Sequence, residues 1–166
     1  SFVAPVTRST DHLSPPLNGP TEADHRRTLP PRPTHMVGRD EAVAALGEQI
    51  IKRRLVSIVG AGGIGKTTVA VAVGHHLSEH FDGAVFFVDL SAITDPELVL
   101  TTIGSTLGIM LRTQEPLSSL VAFLENKKLL LILDNCEHVI ERTAAMAERV
   151  IEATPETRIL ATSREA

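Results

Sequence analysis

The feature that most constrains this chain is a glycine-rich segment that ends in a lysine and two threonines. It reads Gly60-Ala61-Gly62-Gly63-Ile64-Gly65-Lys66-Thr67-Thr68 and matches the pattern GxxxxGK[ST]. Glycines let such a backbone curl so that successive N–H groups point inward at phosphate oxygens. Lys66 supplies a cation for the β- and γ-phosphates of a nucleotide, and the Thr67 hydroxyl can ligate Mg²⁺. The segment therefore predicts a nucleoside triphosphate site formed by Gly60, Gly62, Gly63, Ile64, Gly65, Lys66, Thr67 and Thr68.

The neighbours of this loop have the structure that phosphate binding requires. Leu55-Val56-Ser57-Ile58-Val59 is short, apolar and rich in β-branched residues, which is typical of a buried parallel strand. The residues after Thr68 are expected to form a helix, whose positive N-terminal end adds to the attraction for phosphate. A chance match to the bare pattern is the alternative, and the strand before and the helix after argue against it.

Composition limits the classes of protein to consider. The 166 residues allow one ordinary domain with an appendage, and a hydrophobic fraction of 43% is ample for a soluble core. The net charge of −4 argues against a surface that binds nucleic acid directly. The single cysteine, Cys136, cannot form an internal disulfide and suggests a reducing, cytoplasmic location. We find no apolar run long enough to cross a membrane and no signal peptide.

The chain divides into two regions that differ in proline content and in hydrophobic periodicity. Residues 1–33 hold most of the prolines, show no periodicity and are expected to form a disordered linker; a proline-rich ligand for an adaptor domain is the alternative. Residues 34–166 are expected to form the folded domain. Its predicted elements are a helix over 40–51, a strand over 55–59, a helix after the loop to about His80, a strand over 84–88, a helix from an N-cap at Asp95 to about Leu107, a helix from Pro116 to about Asn126, a strand over 129–134, a helix over 137–154 and a strand over 158–162.

Alternating strands and helices predict an α/β fold of three layers. In this P-loop NTPase architecture a parallel sheet has helices on both faces, joined by right-handed crossovers. Because the chain starts at Ser1 and few elements follow the last predicted strand, we expect a fragment of a longer protein.

A second motif lies at the end of the apolar run Leu129–Leu133, where Asp134 follows. A carboxylate at the carboxyl end of a buried strand near the phosphate loop can hold the Mg²⁺ shell opposite Thr67, as in a Walker B strand. An N-cap role for Asp134 is the alternative, and the two roles are compatible.

The residues after Asp134 bear on hydrolysis. Many P-loop ATPases have an acid immediately after the Mg²⁺ aspartate, but this chain has Asn135, which can orient water but cannot take its proton. Glu137 is the nearby candidate base, and a helix-stabilising acid in a first turn is the alternative. We therefore expect slow hydrolysis.

Arg164 comes just after the last predicted strand, and its guanidinium is expected to point toward the γ-phosphate of a bound nucleotide. An ordinary surface arginine is the alternative.

Several other residues are expected to have structural roles. His75, His76 and His80 cluster on one predicted helix, but we see no third ligand at suitable spacing for a metal. Cys136 is expected to be a small buried side chain rather than a nucleophile.

Three strings together resemble a known family. LVSIVGAGGIGKTTVA, LLLILDNCEHVI and RILATSREA are similar to the NB-ARC-type ATPases of the STAND class, in particular to bacterial predicted ATPases of transcriptional regulators. The upstream string Met36-Val37-Gly38-Arg39-Asp40-Glu41 resembles the segment that this family places near the adenine. The resemblance covers about 34–166.

The resemblance implies an ATP/ADP-controlled switch that self-associates or acts on effector domains of a larger signalling or transcription-regulating protein. It implies that Val37, Gly38 and Arg39 contact the nucleotide, that Lys66 and Thr67 bind phosphate and Mg²⁺, that Asp134 coordinates Mg²⁺, and that Arg164 is the sensor arginine. It also implies that the last sheet strand and further subdomains lie beyond Ala166.

Three other functions are alternatives to this switch. A GTPase requires a guanine-reading loop, and Asn126-Lys127-Lys128-Leu129 lacks its aspartate. A small-molecule kinase requires a cluster of lid arginines, and the sequence has none. A nucleotide-binding scaffold or oligomerisation module without hydrolysis is the strongest alternative to a weak ATPase, because Asn135 weakens the case for a base.

Overall fold

Strands and helices alternate through the computed structural model, which describes residues 29–34, 38–63 and 65–164. The elements are α1 Asp40–Arg53, β1 Leu55–Gly60, α2 Lys66–His76, β2 Val85–Asp89, α3 Leu98–Leu107, α4 Pro116–Leu124, β3 Leu130–Asp134, a 3₁₀-helix Cys136–His138, α5 Ile140–Ala153 and β4 Arg158–Arg164. Residues 1–28 of the predicted linker, together with Met36, Val37 and Ile64, lie outside the described residues.

The four strands form one parallel sheet in the order β1-β4-β3-β2. The strand that leads into the glycine-rich loop and the strand that ends in Asp134 are therefore separated by β4. Gly60 at the end of β1 pairs in register with Arg164 at the end of β4. As a result, the last residues of β4 lie between the two predicted motifs.

Alternate residues of the strands pack on opposite faces of the sheet, as the strand periodicity of two requires. Leu130 and Ile132 contact one cluster, in which α1 and α2 contribute Ile50 and Val73. The neighbouring residues Leu131 and Leu133 of β3 contact the other cluster, which includes the buried side chains of α3, α4 and α5. The predicted three-layer α/β architecture is confirmed.

Two arginines cap helices at the amino-terminal edge of β1 and β4. Arg54, whose φ of 70° is in the left-handed region, donates from Nη2 to the carbonyl oxygens of Ile151 (2.9 Å) and Thr154 at the end of α5. Arg158 donates from Nε to the carbonyl oxygen of Ile51 in the last turn of α1 at 3.2 Å. Carbonyl groups at a helix end lack intrahelical partners and carry partial negative charge, so both contacts are favourable. The two caps connect α1 and α5 around the start of the β1–β4 pair.

The predicted helix boundaries needed correction at three places. The helix predicted to continue to about His80 ends at His76, because Ser78 donates to the carbonyl oxygen of His75 and the chain turns there. The helix predicted from Asp95 begins at Leu98, because Leu98 and Val99 donate to the carbonyls of Asp95 and Pro96 and make a tight three-residue turn first. The helix predicted over 137–154 is divided into the 3₁₀-helix and α5. Asn135 is left-handed with φ of 60° and Val139 has φ of −135°, so neither continues an α-helix.

The segment just before the folded domain makes contacts with it. Leu29 is half-buried against the cluster under α2, and the carbonyl oxygen of Pro30 lies 2.7 Å from Nε2 of His75. The boundary that we predicted at residue 33 stays a prediction for the chain as a whole. Residues 29 and 30 nevertheless contribute to the packing of α2.

Candidate functional site

The glycine-rich loop turns sharply into the first turn of α2. Gly63 and Gly65 both have φ of +83°, a left-handed conformation that strains any side-chain-bearing residue. Gly65 is the N-cap of α2, so the loop delivers the chain directly to a helix N-terminus. The Lys66 ammonium donates to the carbonyl oxygens of Gly60 at 2.9 Å and Ala61 at 2.8 Å. The loop thus has a curled backbone, a helix N-terminus and a cation at one place, which suits a polyphosphate.

Asp134 meets this loop through Thr67. The Thr67 hydroxyl lies 3.0 Å from Oδ1 and 2.9 Å from Oδ2 of Asp134, whose side chain is buried at the carboxyl end of β3. A hydroxyl and a carboxylate are hard oxygen donors of the kind that Mg²⁺ prefers. The two groups are close enough to share one ion, so the residues present fit the predicted Mg²⁺ site.

Thr162 and Asn135 hold Asp134 in place, and Asp89 in turn holds Asn135. The sequence analysis assigned neither Thr162 nor Asp89 to the site. Thr162 of β4 donates its hydroxyl to Asp134 Oδ1, and the same hydroxyl accepts the backbone N–H of Asn135 at 3.0 Å. The Asn135 amide donates to Asp134 Oδ2 at 2.9 Å and to Asp89 Oδ1 at 3.2 Å. Thr162 and Asp89 are polar residues at the carboxyl ends of apolar strands, and this placement is the signal that could have identified them.

Asp89 is a charged neighbour of this network. Partial burial acts to raise the pKa of its carboxyl, but hydrogen bonds from the backbone and side chain of Ser91 and from Asn135 outweigh burial, so the pKa is lowered. Asp89 therefore remains a carboxylate at neutral pH and accepts the amide of Asn135. The amide connects two carboxylates, which leaves it in a fixed orientation.

Two guanidinium groups lie against the glycines of the loop. A Cβ built on Gly65 would stand 3.1 Å from Nη1 of Arg39, and one built on Gly62 would stand 3.3 Å from Cζ and Nε of Arg164. With Lys66, three cations surround the loop, although the chain carries a net charge of −4. This local concentration of positive charge suits a ligand with several negative charges.

Arg164 is located differently from the sequence prediction. It is the last residue of β4 rather than a residue beyond the strand, because the β1–β4 pairing extends to Gly60. Its Nε lies 3.6 Å from Oε1 of Glu137, and the side chains of Arg164 and Glu137 are 66% and 18% exposed. Within the part of the chain that the structure describes, Oε2 of Glu137 is buried and has no hydrogen-bond partner. The predicted base and the predicted sensor arginine are thus in contact with each other.

The Cys136 side chain is buried, as predicted. Its thiol donates to the carbonyl oxygen of Leu133 at 3.3 Å. Burial, followed by the nearby carboxylates of Asp134 and Glu137, raises the pKa of Cys136 to about 12. The thiolate form required for nucleophilic attack is therefore scarce at neutral pH.

The histidines of α2 make other contacts. His75 binds the Pro30 carbonyl, and the ring of His76 lies against Gly47 of α1. Among the described residues, no group of three or more His, Cys, Asp or Glu side chains could hold a metal ion.

Most of the predicted site residues come together at the carboxyl edge of the sheet: Gly60, Gly62, Gly63, Gly65, Lys66, Thr67, Thr68, Arg39, Asp134, Glu137 and Arg164. Gly38 has φ of +79° and an exposed backbone, and apart from its chain neighbours no atom of the described residues lies within 4 Å of where its Cβ would stand. Val37 and Ile64 lie outside the described residues, so their predicted contacts with nucleotide stay predictions.

A comparison of the sequence with models of known protein families agrees with the nucleotide site that the geometry indicates. Residues 39–166 match the model described as the NB-ARC domain. The chain belongs to the NB-ARC family. Family membership, together with the loop and Asp134, supports a nucleotide-binding regulatory domain.

Curated relatives of this NB-ARC chain include regulatory proteins. A protein of Mycobacterium tuberculosis named "Putative HTH-type transcriptional regulator" is 39% identical over 117 residues, which cover 70% of this chain and 13% of the relative. The regulatory protein AfsR of Streptomyces griseus is 28% identical over 176 residues, covering 96% of this chain and 18% of the relative. The chain therefore spans less than a fifth of the length of these two relatives.

Solved structures support the fold of the NB-ARC domain. The ORC2 protein of Aeropyrum pernix aligns with a TM-score of 0.62 at 22% identity, over 85% of this chain and 45% of that protein. The Cdc6p protein of Pyrobaculum aerophilum aligns with a TM-score of 0.58 at 12% identity, over 87% and 43%. At these identities the likeness concerns the fold alone. In the described part of the chain, no helix is long and apolar enough to cross a membrane.

Proposed function

We propose that this domain binds ATP and ADP together with Mg²⁺ and acts as a regulatory switch that hydrolyses ATP slowly. The observation that carries the proposal is the pair of contacts between the Thr67 hydroxyl and both oxygens of Asp134, at 3.0 and 2.9 Å, beside a glycine-rich loop. A phosphate loop and a buried carboxylate that share one threonine have the geometry of a Mg²⁺-nucleotide site.

Each residue has a defined role in this proposal. The loop amides and Lys66 bind the phosphates, and Thr67 and Asp134 hold the Mg²⁺ ion. When bound, Mg²⁺ neutralises phosphate charge and lowers the barrier to phosphoryl transfer. Arg164 interacts with the γ-phosphate. Val37, Gly38 and Arg39 contact the nucleotide on the side of its adenine.

Slow hydrolysis follows from the residues beside Asp134. Asn135 cannot take a proton from water, because an amide is not a base at neutral pH. Its N–H groups donate to Asp134 and Asp89, which holds the side chain in place. Glu137 is the remaining candidate base, and one of its oxygens is paired with Arg164. Neither residue is an efficient base, and nucleotide exchange or occupancy would then control the switch.

The relatives suggest the setting in which the switch works. Two of them are named as regulators and are much longer than this chain. We propose a cytoplasmic signalling or transcription-regulating protein in which this domain self-associates or controls attached effector domains. Any DNA binding would belong to those other domains, in keeping with the acidic net charge of this one.

A second candidate is a nucleotide-binding scaffold that performs no hydrolysis, and Asn135 is the observation that favours it. The test is phosphate release from Mg-ATP over many turnovers, compared between the wild-type chain and Lys66→Ala. Release that exceeds one phosphate per chain and is lost in the variant supports the ATPase. Lys66-dependent nucleotide binding without release supports the scaffold.

A further inference from the structure

We infer that Glu137 sets the preference of this site between a nucleoside diphosphate and a nucleoside triphosphate. It does so because it holds the Arg164 guanidinium away from the position of the γ-phosphate. The inference rests on the proposed function and assigns Glu137 a role other than that of base.

The first argument is the position of Arg164. Its backbone pairs with Gly60, where the loop begins, and its guanidinium lies against Gly62 in the loop. The same guanidinium is 3.6 Å from Glu137 Oε1, on the 3₁₀-helix that follows Asp134. The side chain is 66% exposed, so the described residues leave most of its surface open to solvent or ligand. Arg164 can therefore exchange one anionic partner for another without unpacking a buried side chain.

The second argument is the state of Glu137. Its side chain is 18% exposed, and its Oε2 is buried without a hydrogen-bond partner in the described residues. Among the described residues, Arg164 is the cation that pairs with this carboxylate. Withdrawing the cation leaves a largely buried charge uncompensated, which is unfavourable.

Separating Arg164 from Glu137 weakens the binding of the triphosphate only. A triphosphate whose γ-phosphate recruits Arg164 must separate it from Glu137, whereas a diphosphate has no γ-phosphate and leaves the pair intact. Glu137 therefore weakens triphosphate binding and has little effect on diphosphate binding. An ion pair with one exposed partner contributes modestly, so removing the competition is expected to change the affinity ratio by about two- to fivefold.

The test is a set of calorimetric titrations of the 166-residue chain with Mg²⁺ and either ADP or a non-hydrolysable ATP analogue. The variant is Glu137→Gln, which keeps the shape and removes the charge. The matched control is Glu141→Gln, because Glu141 is an exposed acid in the first turn of α5. Circular dichroism verifies that each variant is folded.

We expect Glu137→Gln to raise the affinity for the triphosphate relative to ADP by about two- to fivefold, and Glu141→Gln to leave the ratio unchanged. In an Arg164→Gln background, Glu137→Gln should have no further effect on the ratio. An unchanged ratio, an equal gain for both nucleotides, or an effect that persists without Arg164 would each overturn the inference. If Glu137 is instead the base, the substitution lowers phosphate release and leaves the ratio as it was.

Failure of the proposed function gives a different result. In that case the wild-type chain binds neither nucleotide in a manner that depends on Lys66, and both proposals are overturned together. If binding depends on Lys66 but the ratio does not respond to Glu137, only this inference is lost.

Discussion

Replacing the Thr162 hydroxyl should destabilise the fold although the side chain keeps its size. Thr162 is 1% exposed, and its hydroxyl both donates to the buried carboxylate of Asp134 and accepts the Asn135 N–H. In Thr162→Val both bonds are lost at once. A hydrogen bond to a charged group contributes about 1.5–3 kcal/mol, and a buried N–H left without an acceptor costs about 1–3 kcal/mol. Because Asn135 is only partly buried, water can compensate some of the second cost, and we expect a total of about 2–4 kcal/mol.

The matched control is Thr162→Ser, which keeps the hydroxyl and removes one methyl group at a cost of about 1 kcal/mol. Urea unfolding of the two variants, followed by circular dichroism at pH 7, gives their free energies of unfolding. We expect the valine variant to be the less stable one, by about 1–3 kcal/mol. A valine variant at least as stable as the serine variant would refute the reasoning that this hydroxyl supports Asp134.

Two further predictions concern Cys136 and Arg54. Because folding raises the pKa of Cys136 from 9.0 to about 12, the unfolded chain loses this proton first, and the stabilisation present below pH 9 is lost as the pH rises toward 12. The free energy of unfolding of the wild-type chain relative to Cys136→Ala should therefore fall by about 2 kcal/mol between pH 8 and pH 10.5, and a constant difference would contradict this. Arg54→Met removes the cap on α5 and should lower the free energy of unfolding by about 1–2 kcal/mol. The control Arg53→Met, at an exposed neighbouring position, should change it by no more than about 0.5 kcal/mol. Equal effects of the two variants in urea unfolding would show that the cap contributes nothing.

The sequence was sufficient to predict the elements that depend on local patterns. The glycine-rich loop, the apolar strands and the terminal carboxylate of Asp134 each have a short-range signature, and the structure has them where they were predicted. The three-layer arrangement also followed, since alternating strands and helices leave few other ways to bury both sheet faces. The family resemblance was confirmed by the match over residues 39–166.

The features that the sequence did not reveal depend on contacts between distant residues. The insertion of β4 between β1 and β3 is a property of the crossovers, and it explains why Thr162 contacts Asp134. The pairing of Arg164 with Glu137 depends on how far β4 extends, which apolar periodicity did not indicate because Ser163 and Arg164 are polar. The arginine caps at Arg54 and Arg158 join residues about one hundred positions apart, beyond the reach of any local pattern.

The central claim is that the glycine-rich loop and Lys66 bind the phosphates of a nucleotide. The most direct measurement is calorimetric titration of the chain with Mg-ATP and Mg-ADP, beside Lys66→Ala and the control Lys52→Ala in the last turn of α1. Circular dichroism shows whether each variant is folded. We predict saturable binding to the wild-type chain and to Lys52→Ala, and its loss in a folded Lys66→Ala. Equal binding by Lys66→Ala, or no binding by the folded wild-type chain, would contradict the account.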